Sequence, residues 1–73
     1  MEAVKMEATI EFRSLGGKYK RKIIVKQSHI NNGYAIDTTI KTGAWYTLRH
    51  LEGFHTLSEA LLSAAETVKE LQS

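Results

Sequence analysis

The sequence predicts an α+β fold: a four-stranded antiparallel β-meander with one C-terminal helix packed on one face (β-β-β-β-α). Three observations predict it. Before residue 50, apolar and polar residues alternate with a period of two, as in strands with one buried face. Glycine-containing turn signals separate these runs. The last segment instead repeats its apolar residues every three or four positions, which indicates one face of a helix.

The first two strands are predicted at residues 4–13 and 19–28, joined by a turn at Gly16 and Gly17. If these glycines form a two-residue loop, the residue numbers of each pair add up to 33. The resulting pairs are Ile10–Ile23 and Ala8–Val25 on the apolar side, and Glu11–Lys22 and Glu7–Lys26 on the other side. A shift of one residue would break the apolar match and both opposite-charge pairs, so the pattern selects this register.

A third strand is predicted at residues 34–41, after a two-residue turn at Asn32 and Gly33 that pairs Val25 with Ile40. Its inward residues are predicted to be Tyr34, Ile36, Thr38 and Ile40. The next turn contains Gly43 and leads into a fourth strand from residue 44.

The length of the turn at Gly43 decides which face Trp45 takes. A two-residue turn directs Trp45 inward. A three-residue loop with Gly43 in the left-handed region directs Trp45 outward and places Tyr46 and Leu48 inward. The sequence leaves both open and favours the second, because Leu48 then joins the core.

A helix is predicted at about residues 57–72. Thr56 and Glu59 have the spacing of a capping box, with Thr56 as the N-cap. In this motif each side chain accepts a hydrogen bond from the backbone N–H of the other residue. The predicted apolar face consists of Leu57, Leu61, Ala64, Val68 and Leu71, flanked by Ala60 and Ala65.

Composition limits the class of protein. The 73 residues are expected to form a single domain, residues 1–73, because so short a chain has no room for a second core. The chain has no cysteine, which excludes disulfides, thiolate catalysis and cysteine-ligated zinc and suits the cytoplasm. The charged N-terminus lacks the apolar segment of a signal peptide, and no apolar run approaches the ~20 residues of a membrane span. We therefore expect a cytoplasmic protein that is not bound to a membrane.

Charge is spread unevenly along the chain. Residues 13–49 contain eight lysine and arginine residues but only one acidic residue, Asp37, whereas both ends of the chain are acidic. A basic segment of this kind suits a nucleic acid or an acidic protein partner. The ordinary alternative is a solvated strand face, on which each lysine pairs with a glutamate across the hairpin.

The basic segment predicts a binding surface on the open face of the sheet. Its candidate residues are Arg13, Lys18, Lys20, Lys22, Lys26, Lys41, Arg49 and Trp45. Spaced cations bind phosphates, and an exposed tryptophan offers a plane on which a base can stack. The function predicted first is a small non-enzymatic protein that binds nucleic acid, with single-stranded DNA or RNA favoured. The alternative is a protein-interaction module, such as a small regulator or a phage-type inhibitor, that binds an acidic protein partner. Open sheet edges also leave room for a homodimer.

Neither catalysis nor metal binding is predicted. His29 lies at a turn, while His50 and His55 flank a connector, so the predicted topology does not bring the three together. The sequence contains no nucleophile elbow or phosphate-binding loop, and the chain is too short for a deep pocket. We expect no enzyme activity, no cofactor and no metal.

The chain has two partial resemblances to known proteins. Residues 53–61 are similar to the strand-to-helix joint of HicB-type antitoxins. The element order is similar to that of a class of single-strand DNA-binding domains, whose sheets would bind the strand and whose helices would dimerise. Neither likeness assigns the chain to a family, since a shared topology does not fix function.

Overall fold

Four strands form one antiparallel sheet in the order β1-β2-β3-β4, and a helix follows them. The elements are β1 (Ala8–Arg13), β2 (Lys20–Gln27), β3 (Tyr34–Thr42), β4 (Ala44–Phe54) and α1 (Leu57–Gln72). This computed structural model describes residues 7–30 and 32–72, so the first positions predicted for β1 lie outside the described residues. The predicted meander with one C-terminal helix is confirmed.

The β1–β2 register is as predicted, whereas the loop between the strands is longer. Ala8 pairs with Val25 and Glu11 with Lys22. The backbone N–H of Ser14 donates to the carbonyl of Tyr19 at 2.9 Å, which leaves a four-residue loop in place of the predicted two. The pair that a two-residue loop would form between residues 15 and 18 is open, which lengthens the loop without changing the register.

The β2–β3 register was predicted wrongly. Val25 pairs with Ile36 and not with Ile40. The backbone N–H of Ser28 donates to the carbonyl of Gly33 at 2.9 Å, so the loop spans residues 29–32. The Ser28 hydroxyl also accepts from the backbone N–H of Ile30 at 3.1 Å, which begins the turn before the Asn32–Gly33 signal. The shift is an even number of residues, so each side chain keeps its predicted face.

The turn at Gly43 takes the favoured three-residue form. Gly43 has a φ of 88°, and Lys41 pairs with Trp45, which places Trp45 on the open face. The register then shifts between Thr38 and Thr39, and Leu48 is the extra residue of the resulting bulge.

The bulge contradicts the core positions predicted for β4. Leu48 is 60% exposed and does not join the core. Tyr46 keeps the helix side through its pairing with Ile40, but it lies on the edge strand and is also exposed.

The helix begins with the predicted cap. The backbone N–H of Glu59 donates to the Thr56 hydroxyl at 3.1 Å, and that hydroxyl donates to the Glu59 carboxylate at 3.3 Å. Within residues 7–30 and 32–72, no helix has the length and apolar character that crossing a bilayer requires.

The core lies between α1 and the two central strands. Its buried members are Ile23, Val25, Ile36, Ala60 and Ala64. Ala60 is at the centre of the helix face, whereas Leu61, which the periodicity placed there, is exposed. Alanine at both central positions lets the helix lie close to the sheet, so the larger Leu61 is displaced to the margin.

Candidate functional site

The sheet face opposite α1 carries the candidate residues in transverse rows, because antiparallel partners share a face. Arg13 pairs with Lys20, and Lys41 pairs with Trp45. Lys20 and Lys41 are the next residues beyond the Arg21–Ile40 pair and therefore lie opposite each other on β2 and β3. Arg13, Lys20, Lys41 and Trp45 thus form one transverse row across the sheet. The neighbouring row consists of Glu11, Lys22, Thr39 and Thr47.

Two lysines, one on β2 and one on β3, approach the Trp45 ring on this face. The Nζ atom of Lys22 is 4.4 Å from the centroid of the Trp45 ring, and that of Lys41 is 6.0 Å away. The contact between Lys22 and Trp45 joins β2 to β4 and must therefore cross β3. It crosses at Thr39, the residue paired with Lys22, which explains why Thr39 is only 4% exposed on an open face. An exposed cation–π contact of this kind contributes ~0.5–1 kcal/mol.

We call this set the basic end: Arg13, Lys20, Lys22, Lys41 and Trp45. Glu11 is the single acidic residue in its two rows, so four cations face one carboxylate. Arg21, by contrast, lies on the helix side, where its Nε donates to the carbonyl of Thr39 at 3.0 Å. The basic end is therefore a cationic surface with one aromatic ring.

The other end of the open face holds a continuous series of polar contacts, which we call the polar chain: Lys26, Asp37, His50, Glu52 and Ser28. Lys26 Nζ lies 2.7 Å from the Asp37 carboxylate, whose other oxygen contacts His50 Nδ1. His50 Nε2 lies 2.7 Å from Glu52, and the Ser28 hydroxyl donates to the same carboxylate. The polar chain connects β2, β3 and β4, and its charges alternate in sign.

Both ring nitrogens of His50 face carboxylates, so both must carry a proton to donate. Hydrogen bonds to Asp37 and Glu52 accordingly raise the pKa of His50. Partial burial pushes the pKa of Asp37 upward, but hydrogen bonds from Lys26 and His50 outweigh it and hold that pKa below its ordinary value. Hydrogen bonds from Ser28 and His50 lower the pKa of Glu52. With His50 protonated, the polar chain contains two cations and two anions.

The free energy of unfolding is expected to fall as the pH rises through the folded-state pKa of His50. Because folding raises this pKa, the contribution is complete below the unfolded value, about 6.5, and is lost above the higher folded value. Urea unfolding from about pH 5 to about pH 9 measures the effect. His50→Gln should remove this part of the slope, and His29→Gln, at an exposed loop position, should keep it. Equal slopes in the wild type and His50→Gln would contradict the prediction.

The histidines are not arranged as metal ligands. The two ring nitrogens of His50 point away from each other toward different carboxylates, so one ion cannot reach all three groups. In the part of the chain that the structure describes, no group of three histidine, cysteine, aspartate or glutamate residues could hold a metal ion.

Three candidate residues lie outside the basic end. Lys26, predicted to pair with Glu7, instead forms its ion pair with Asp37. Lys18 lies in the first loop, with its Nζ 5.3 Å from the ring of Tyr19. The open-face position predicted for Arg49 is wrong: the bulge at Leu48 moves Arg49 to the helix side, opposite Thr38.

The polar chain was not predicted from the sequence. His50 and Glu52 are two residues apart and Asp37 is predicted to face outward, which was a usable signal. Pairing His50 with Asp37 required the β3–β4 register, and the bulge at Leu48 sets that register.

Comparisons with protein families, curated proteins and solved structures found no match to this chain.

Proposed function

We propose that the protein is a small non-enzymatic protein that binds single-stranded nucleic acid, DNA or RNA, through the basic end. One observation carries the proposal: Trp45 lies on the open face within cation–π distance of Lys22 and Lys41, with Arg13 and Lys20 in its own row. Cations in this arrangement suit phosphates, and the ring suits a base. The proposal includes a cytoplasmic location, because a chain without cysteine suits a reducing compartment.

The shape of the surface favours a single strand over a duplex. Bases of a duplex are stacked on one another and are not available to an aromatic side chain, whereas unpaired bases are. Reading the major groove requires a projecting helix or ribbon. Helix α1 instead packs against the opposite face of the sheet, with Ala60 and Ala64 in the core.

The polar chain limits how far the binding surface extends. Lys26 and His50 both contact carboxylates, so among residues 7–30 and 32–72 the cations that remain available on the open face are those of the basic end. Four lysine and arginine residues contacting four phosphates of a single strand would give a logarithmic salt dependence of affinity with a slope of about −3.

The test is the affinity for single-stranded and duplex oligonucleotides, measured by fluorescence anisotropy over a range of salt. We expect single strands to bind more tightly, and Lys20→Ala to reduce the salt slope by about one phosphate contact. Lys69→Ala is the matched control, since it removes the same charge from an exposed position on α1. Absence of binding at low salt, or an affinity that does not change with salt concentration, would reject the proposal.

A second candidate function is a protein-interaction module, a regulator or phage-type inhibitor that binds an acidic protein. It is favoured by two apolar side chains that phosphate binding does not use: Tyr46 and Leu48 on the edge strand β4 are 56% and 60% exposed. Tyrosine and arginine are enriched among the residues that dominate protein interfaces. A nuclease-treated pull-down should then recover one stoichiometric partner, and Tyr46→Ser should lose it while leaving oligonucleotide binding unchanged.

A further inference from the structure

We propose that Lys22 covers the Trp45 ring in the free protein and moves from the ring to a phosphate when a base stacks there. The inference rests on the proposed function and deepens it. Trp45 becomes a platform for one base of a single-stranded ligand, and Lys22 becomes a positioning residue that exchanges one contact for another.

The geometry of the free protein shows that the ring is already occupied. The Nζ atom of Lys22 lies 4.4 Å from the ring centroid, nearer than Lys41 at 6.0 Å. Trp45 and Lys22 are both half-buried, whereas Lys41 is exposed. A base that stacks on the face beneath Lys22 must therefore displace the ammonium group.

The Lys22 side chain is free to make this exchange. In the described part of the chain it forms no ion pair, although Glu11 lies opposite it on β1. Its backbone is fixed separately, because its carbonyl accepts from the Thr39 hydroxyl at 2.8 Å. Lys26, four residues further along β2, is by contrast held in an ion pair, with its Nζ 2.7 Å from the Asp37 carboxylate.

The exchange is favourable both at the Trp45 ring and at the displaced ammonium group of Lys22. A base stacked on an aromatic ring is stabilised more than an exposed ammonium group over the same ring. The displaced ammonium group then gains a phosphate, which releases a counterion. One side chain thus protects the apolar ring in the free protein and binds the backbone in the complex.

Trp45 also provides the signal for the test, because it is the single tryptophan of the chain. Tryptophan emission and affinity are measured at low salt with oligothymidylate and with an abasic deoxyribose-phosphate chain of equal length. We expect oligothymidylate to quench the emission of Trp45 and the abasic chain to bind with a much smaller change.

Lys22→Met separates the two roles of the lysine. It should reduce the salt slope for oligothymidylate by about 0.7, the value of one phosphate on a single strand. The slope for the abasic chain should stay unchanged, because Lys22 leaves the ring only when a base stacks there. The variant should also lower the preference for oligothymidylate over the abasic chain by about 2- to 5-fold at low salt, since the phosphate contact that follows stacking is lost. Lys41→Met is the control and should reduce the salt slope without changing the preference. Circular dichroism checks that both variants fold, and Lys22→Gln serves if Lys22→Met does not.

Each contrary result has a distinct meaning. Salt-dependent binding of oligothymidylate with unchanged Trp45 emission would overturn the inference and leave the proposed function standing. An unchanged preference, or an unchanged salt slope for oligothymidylate, in Lys22→Met would also overturn the inference and leave the proposed function standing. Absence of any binding by the wild type would overturn both.

Discussion

Replacing Ile36 with alanine is expected to leave the chain largely unfolded at room temperature. Ile36 is buried on a central strand, and two of the other four buried core residues are alanines, which offer little apolar area. An isoleucine-to-alanine change in a core costs about 2–5 kcal/mol. A domain of this size has only a few kcal/mol of stability, so the change removes most of it.

Far-UV circular dichroism and urea unfolding measure this effect. Ile36→Val provides a variant that still folds and should lose about 0.5–1.5 kcal/mol. Leu62→Ala is the surface control: Leu62 is 63% exposed on α1, and its loss should change the free energy of unfolding by no more than about 0.5 kcal/mol. If Ile36→Ala kept a cooperative transition within about 1 kcal/mol of the wild type, the core described above would not be what stabilises the fold.

The predictable parts of the fold are those that alternation and charge determine locally. The β1–β2 register followed from matching Ile10 with Ile23 and Glu11 with Lys22, since any odd shift would bury charge. The cap at Thr56 followed from spacing alone. In both cases the residues that determine the structure lie within one hairpin or one turn.

The β4 bulge was not predicted because it depends on distant contacts. Tyr46 and Leu48 alternate with polar residues, so residues 44–49 have the pattern of a regular strand. Leu51, however, pairs with Ile36 on the helix side, as Tyr46 pairs with Ile40. In a regular strand these two residues, five positions apart, would point to opposite faces. One extra residue resolves the conflict, and the structure places it at Leu48.

The same bulge explains why only part of the candidate site was predictable. The basic end depends on β1, β2 and the Gly43 turn, which precede the bulge, and its residues were found by composition and alternation. The polar chain depends on His50 and Glu52, which follow it. A one-residue change of register moves the side chains that follow to the other face, as far as the second register shift between Leu51 and Phe54. It took Arg49 off the open face and brought His50 beside Asp37.

Asp37→Asn is expected to lower the free energy of unfolding by about 2 kcal/mol at neutral pH. Asp37 is nearly buried and accepts hydrogen bonds from Lys26 and His50. Removing one partner of a buried ion pair costs about 3–5 kcal/mol, and an exposed pair contributes about 0–1 kcal/mol. The expected value lies between these limits, because the two cations are half-exposed and can turn toward water. Glu11→Gln, which removes an exposed carboxylate from the same face, should change stability by no more than about 0.5 kcal/mol.

The pH dependence of Asp37→Asn separates the loss of charge from a change of packing. Because folding lowers the pKa of Asp37, its contribution is complete above the unfolded value and is lost as the pH falls through the folded value. Wild type and Asp37→Asn should therefore converge in acid, where the wild-type carboxyl is also neutral. The variant also removes one of the two carboxylates that raise the pKa of His50, so an NMR titration should show that pKa decreasing. A stability difference that persisted in acid would mean that the asparagine disturbs the packing of the sheet, and the polar chain would then not be held by charge.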